Sequence, residues 1–381
     1  MLSISTYFPV VLFAISGIFC DKPVSESNTN LQLLLPIKTE TIITKREIIW
    51  GMDFLPNGDL LFTEKKGTLT RAAKDSWALT EITGLPTDID PKGQGGLLDI
   101  KVHPKYAENG WIYCNYVSTG GWLNLIRFKL DGNSISSLET IFKSTTPGTW
   151  GGHFGGRIVF DNAGFLFLSI GEGGSGTLGG PNSTNLNAQD TKSSWGKVHR
   201  MTDDGKVPAD NPVLPGNDKP STIYTYGHRN PQGLTYDPIN NRIWETEHGP
   251  RGGDELNLII AGKNYGWPLY SYGINYDGTI ISENPKHEGI EDPKTNWVPS
   301  KAPCGLAFIT SDKFASWKGN LLSGALAHRY IARITLDGTN VVSQEKLLEK
   351  EGRVRNVKQG PDGYIYVSLE GPGRVIRLLP E

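Results

Sequence analysis

The chain has 381 residues, a formal net charge of −2, and 46 glycines beside 24 prolines. It has no Lys/Arg run to form the basic stripe a phosphate backbone requires, which argues against a nucleic-acid surface. It also lacks long stretches rich in Ala, Leu, Glu and Lys; with frequent Trp and Tyr, this points to short strands joined by tight turns rather than to helices.

The apolar run "YFPVVLFAISGIF", from Tyr7 to Phe19, is short for a membrane span and leads into the polar "DKPVSESNTN". Residues 1–20 therefore read as an export signal and 21–36 as a polar linker, with a periplasmic or extracellular destination, although no Lys or Arg precedes the apolar run. Cys20 stands where a lipoprotein signal places its acylated cysteine, while Gly17 and Phe19 depart from that pattern. A lipid anchor there is the secondary expectation. The remaining cysteines, Cys114 and Cys304, either pair in an oxidising compartment or stay as two buried thiols, the blander reading.

From residue 37 onward the chain repeats one pattern: apolar strand, turn of Asn, Asp, Pro or Gly, second strand, Gly-rich punctuation. The copies are "GMDFLPNGDLLFTEKKG", "GLLDIKVHPKYAENGWIYCNYV", "GRIVFDNAGFLFLSIGEGG", "GLTYDPINNRIWETEHGP", "GLAFITSDKFASWKGNLLSGAL" and "RNVKQGPDGYIYVSLEGPG". Six such hairpins, often followed by a third strand such as "GTLTRA", predict an all-β, six-bladed β-propeller with four-stranded antiparallel blades over 37–381. A β-sandwich is the alternative, but it does not require self-similar units.

If the first strand of each unit lines a central channel, the residues before first strands and after second strands gather at one end. The first group is Gln94, His153, Arg229, Asn230, Arg353 and Arg355; the second is Glu64, Glu172, Glu247, His248, Ala327, His328 and Glu370. Glu64 and Glu370 fit the bland account of solvated strand ends. Arg353 and Arg355 alternate by two and share a strand face, as an exposed salt-bridged pair or as ligand contacts. His153, in "WGGHFGGRIVF", has glycine neighbours that give an imidazole nothing to pack against, which favours function. "GEGGSGTLGG" lacks the Gly-Lys-Ser/Thr closure of a phosphate loop and reads as a mobile loop bordering the channel mouth.

The segment "YGHRNPQGLTYDP…TEHGPRGGDELNLIIAGKNYGWP", together with "GQGGLLDIKVHP", "GGHFGGRIVF", "SIGEGG", "APCGLAF" and "GRVRNVKQGPDG" in order, resembles the soluble quinoprotein glucose and aldose sugar dehydrogenases. The resemblance implies a six-bladed propeller binding pyrroloquinoline quinone (PQQ) and calcium at the channel mouth. It implies oxidation of an aldose at its anomeric hydroxyl to a lactone, with hydride passing to the quinone and electrons to an external acceptor. His153 takes the role of general base, with Glu172 orienting its ring and Arg229 beside them. Gln94, Arg229, Asn230, His248, Asp254, Arg353 and Arg355 match cofactor contacts, and guanidinium forks suit a flat tricarboxylate. The carbonyls of Gly249 and Pro250 match ligands of the catalytic calcium, and Glu255 with the Tyr265 carbonyl a second calcium site.

One position departs from the pattern: Ala327 stands where many members carry a quinone-contacting lysine, which puts cofactor affinity in question. Two rival readings follow from the same residues. One is a calcium-dependent propeller lactonase, active without quinone; the other is a non-catalytic binding propeller related to hedgehog-interacting proteins. The expected assembly is a monomer or homodimer.

Overall fold

The computed structural model describes residues 37–149, 151–174 and 178–380. The apolar segment, Cys20 and part of the "GEGGSGTLGG" loop lie outside the described residues. The rest forms six four-stranded antiparallel sheets, each with its strands in sequence order save one. Blade 1 begins with Ile49–Phe54, blade 2 with Leu97–Val102, blade 3 with Ile158–Phe160, blade 4 with Pro231–Asp237, blade 5 with Pro303–Phe308 and blade 6 with Arg353–Gln359. These first strands pack on one another in ring order, so they are the inner wall of a β-propeller.

The exception closes the ring. Blade 6 takes its outermost strand from the first of the described residues: Ile37–Arg46 pairs antiparallel with Gly373–Pro380, Ile37 opposite Pro380 and Arg46 opposite Gly373. Within the blades, Asx turns set the hairpins. Asp161 Oδ1 accepts from the amides of Ala163 and Phe165, each at 2.9 Å, and so turns the chain between the first two strands of blade 3.

The inner strands carry a recurring irregularity near their first residues. Register shifts fall at Ile49/Met52, Leu97/Ile100, Pro231/Gly233, Cys304/Leu306 and Val354/Asn356. A bulge bends its strand and re-aims the next side chain. Glycine allows the close approach this needs: Gly305 has φ +69°, and a Cβ there would lie 2.7 Å from Asn356 Cα in the next blade.

One side chain ties the ring together. Arg157, immediately before the inner strand of blade 3 and only 3% exposed, reaches every other blade. Its Nε donates to Gln232 O at 2.8 Å and its Nη1 to Trp50 O at 3.2 Å, while Nη1 also lies 3.4 Å from Asp99 Oδ1. Its Nη2 donates to Arg355 O at 2.8 Å and contacts Cys304 Sγ at 3.5 Å. Cys114 and Cys304 are separate buried thiols. Among the described residues no helix is long and apolar enough to cross a membrane.

Candidate active site

The bulged starts of the inner strands and the ends of the second strands meet at one mouth of the channel. His153 lies there in an extended loop held by its own backbone: its amide donates to Gly174 O and its carbonyl accepts from Gly173 at 2.9 Å. The flanking glycines make this possible. Gly155 has φ +63°, and a Cβ there would meet the Gly171 amide nitrogen at 2.8 Å. His153 Nδ1 lies 2.5 Å from Glu172 Oε1, with the imidazole 14% and the carboxylate 0% exposed. Glu172 Oε2 is buried and has no partner.

Glu172 is joined to Arg229 through the backbone, its amide donating to Arg229 O at 2.8 Å. The Arg229 guanidinium lies over the Trp267 ring at 5.0 Å, and its Nη1 donates to Gly249 O at 2.8 Å and His248 O at 3.0 Å. Its Nε is buried without a partner. Asn230 Nδ2 donates to Gln94 Oε1 at 3.1 Å, and Asn230 Oδ1 accepts from Gln232 Nε2 at 3.1 Å. Gln232 Oε1 in turn accepts from Arg355 Nη1 at 3.3 Å, so blades 2, 4 and 6 share one amide chain.

His248 Nε2 faces Pro303 O at 2.9 Å, so that nitrogen carries the proton and Nδ1 keeps its lone pair. Burial, then the nearby Arg229 and His153, push this imidazole down to about 3, and it is neutral at pH 7. Asp254 is wholly buried and spent on structure: it accepts from Gly249 N, Ser300 Oγ, Lys301 N and Ala302 N at 2.7–2.9 Å. It thereby fixes the loop carrying Gly249 and Pro250.

Glu64 and Glu370 are not the solvated strand ends expected of them. Glu64 is 3% exposed and bound to Arg46. Glu370 grips both arginines of blade 6, through Arg353 Nε at 2.9 Å and Arg355 Nε at 2.6 Å. Burial raises its carboxyl, but Arg355 and Arg353 outweigh that and hold it below the usual range. Arg353 Nη1 also donates to Leu326 O at 3.2 Å, which brings the turn with exposed Ala327 and His328 beside the pair.

The donor chemistry of this mouth suits a flat polycarboxylate. Three guanidiniums border it, and one of them has a buried nitrogen with no acceptor of its own. The main-chain oxygens of the Gly249–Pro250 loop are of the kind a hard cation takes, and since Arg229 Nη1 holds Gly249 O at 2.8 Å, that guanidinium has to turn away for a cation to use this carbonyl.

The family model for Glucose / Sorbosone dehydrogenase matches residues 46–377. The chain belongs to this family. As a member it is a sugar dehydrogenase, an oxidoreductase. It is 37% identical to the aldose sugar dehydrogenase YliI of Escherichia coli, over 90% of this chain and 93% of the relative. It is 33% identical to quinoprotein glucose dehydrogenase B of Acinetobacter calcoaceticus, over 86% of this chain and 83% of that one. The apo-form structure of the E. coli soluble aldose sugar dehydrogenase superposes with a TM-score of 0.83 at 35% identity, covering 91% of this chain and all of that one. A PQQ-bound aldose sugar dehydrogenase from Streptomyces coelicolor gives 0.75 at 30% identity, covering 91% and 99%.

The dehydrogenase also holds a buried acidic cluster in which Glu255, expected at a second calcium, meets Glu247, expected at the channel mouth, together with Glu245, Asn257 and His228. Asn257 Nδ2 faces Glu245 Oε2, Glu247 Oε1 and Glu255 Oε2 at 3.0, 3.1 and 3.2 Å. His228 Nδ1 lies 3.2 Å from Glu247 Oε1, and the Tyr265 ring stacks on His228 at 4.5 Å. Ligand atoms of His228, Glu245 and Glu247 lie within 4.8 Å of one another. Burial and then repulsion from Glu247 push Glu245 and Glu255 well above the usual carboxylate range. Glu245 Oε1 and Asn257 Oδ1 have no partner, so the donor set suits a hard divalent cation. The signal was present in "WETEHGP" and "DELN": Glu245 and Glu247 share a strand face by period two, and Asn257 and Glu255 stand opposite them.

Proposed function

We propose that this sugar dehydrogenase is an exported, calcium- and PQQ-dependent enzyme that oxidises aldoses at the anomeric hydroxyl to lactones and passes the electrons to an external acceptor. The observation that carries the reading is the His153–Glu172 pair, which opens onto a mouth bordered by Arg229, Arg353 and Arg355. With Nδ1 bound to Glu172, His153 presents Nε2 to the site as the atom that takes the sugar's hydroxyl proton. The Glu172 carboxylate fixes the ring and stabilises the imidazolium that results. Gln94, Arg229, Asn230, His248, Arg353 and Arg355 are the residues to hold PQQ, and Asp254 holds the loop beneath it. The carbonyls of Gly249 and Pro250 would hold one calcium, and Glu255 with the Tyr265 carbonyl, joined by Glu245 and Glu247, a second. When bound, the quinone supplies a two-electron acceptor and the first calcium a Lewis acid beside it. The lactonase and binding-propeller readings have no comparable use for the histidine–carboxylate pair and the three guanidiniums together.

The deciding experiment strips the purified protein with chelator, then adds quinone, calcium or zinc in turn and follows dye reduction across a panel of aldoses. Turnover that needs both quinone and calcium, and that zinc does not restore, is expected. Lactone hydrolysis without quinone would make it the lactonase; absence of any quinone binding would make it the binding propeller.

A further inference from the structure

The opposite mouth of the channel has chemistry of its own. Arg353 and Lys358 stand near the two ends of one inner strand, about 16 Å apart at 3.3 Å per residue. At the Lys358 end a cavity of about 300 Å³ is lined by Lys101, Phe160, Leu234, Leu306, Phe308 and Lys358, among others. Two ammonium groups there share a single carboxylate. Lys358 Nζ lies 2.8 Å from Asp53 Oδ1, and Lys101 Nζ lies 3.0 Å from Asp53 Oδ2. Oδ2 also accepts from the Val102 amide at 2.9 Å, and Asp53 is only 5% exposed. Among the described residues Asp53 is the sole carboxylate paired with either lysine.

The neighbouring charges do not cancel the excess. Asp99 is the other acid facing this part of the channel, and Arg157 Nη1 occupies it at 3.4 Å. Three cations, Lys101, Lys358 and Arg157, thus stand against two carboxylates, Asp53 and Asp99. The Lys101 and Lys358 side chains are 20% and 25% exposed, so an anion can reach both ammonium groups and neutralise the surplus positive charge beside phenyl and aliphatic walls.

We propose that this far mouth is a binding site for a small organic carboxylate with a flat or branched apolar body, its carboxylate bridging Lys101 and Lys358 and its body against Phe160, Leu234, Leu306 and Phe308. Ammonium–carboxylate hydrogen bonds are charge-assisted, and each lysine has donors beyond the one given to Asp53. Burial, with repulsion from Lys358, pushes Lys101 down to about 8 despite Asp53, while Asp53 and Asp99 hold Lys358 up against its own burial. The site is separate from the sugar-oxidising mouth and does not rest on that reading.

The test is calorimetric titration of the full chain at pH 7 with benzoate, with inorganic phosphate and benzyl alcohol as comparison probes. Lys358→Met and Lys101→Met each leave Asp53 with one lysine, so the fold keeps a neutral pair; their melting temperatures check this. Benzoate binding with a Kd of about 1 mM or tighter, weakened at least about tenfold in both variants, supports the site. Absence of benzoate binding to the natural protein, equal affinity in Lys358→Met or in Lys101→Met, or tighter binding of phosphate or of benzyl alcohol than of benzoate each overturns it.

Discussion

His153 shows how a single residue acquires its role from neighbours that lack side chains. The glycines around it let the loop carrying Glu172 come close enough for a 2.5 Å contact to Nδ1, and the buried carboxylate commits the ring to one orientation. Substituting His153→Gln preserves the size of the group and removes the proton acceptor. We expect the variant to fold and bind quinone nearly as the natural protein does, while kcat falls by ~10²- to 10⁴-fold. A stopped-flow measurement with saturating quinone and sugar checks it; an unchanged rate places the base elsewhere.

At the scale of elements, the turn between Leu321–Ala325 and Tyr330–Asp337 brings Ala327 beside Arg353 through the Leu326 carbonyl. A lysine there would add a cation to a border already built for carboxylates. A charge-assisted hydrogen bond is worth about 1.5–3 kcal/mol, so Ala327→Lys should tighten quinone binding roughly ten- to a hundredfold in a direct titration. Blade 3 supplies a second test. His199, in the strand Lys197–Met201, is 1% exposed, faces Ser194 O and Thr222 Oγ1 at 3.0 Å, and is pushed by burial down to about 4. Between pH 6.5 and about 4 the unfolded chain takes up a proton that the folded blade refuses, so stability falls as pH falls, by on the order of 3 kcal/mol across that window. Denaturant unfolding at pH 7 and pH 4.5 measures the loss, and His199→Gln should lessen it. The hairpins themselves were legible in the sequence because Asn, Asp and Gly announce turns by local chemistry. Glu64 and Glu370 were misread because Arg46 lies on the outer strand of blade 6, a different sheet from Glu64, and the Arg353–Arg355 pair on the strand beside Glu370, and pairing across strands leaves no mark in a single segment.

For the whole molecule, Arg157 is the residue on which the ring converges, and its position in "GGRIVF" gave no hint of that. Its contacts with Trp50, Asp99, Gln232, Cys304 and Arg355 exist only once six distant segments have closed around it. Arg157→Met would leave Asp99 buried without its cation, at a cost of about 3–5 kcal/mol, and would loosen the carbonyl that seats Arg355. Guanidinium unfolding should show a lower midpoint with a retained m-value; a midpoint equal to that of the natural protein would mean that the blades hold without their hub. The ring closure described above also sets an order in time. Ile37–Arg46 leaves the ribosome long before its partner Gly373–Pro380 exists, so for most of synthesis the chain carries an unpaired strand edge, the kind of surface on which chains misassociate. Lys38, Glu40 and Arg46 charge that edge while it waits. Loss of Gly373–Pro380 alone would therefore also strand Ile37–Arg46, because a segment made late secures one made more than three hundred residues earlier.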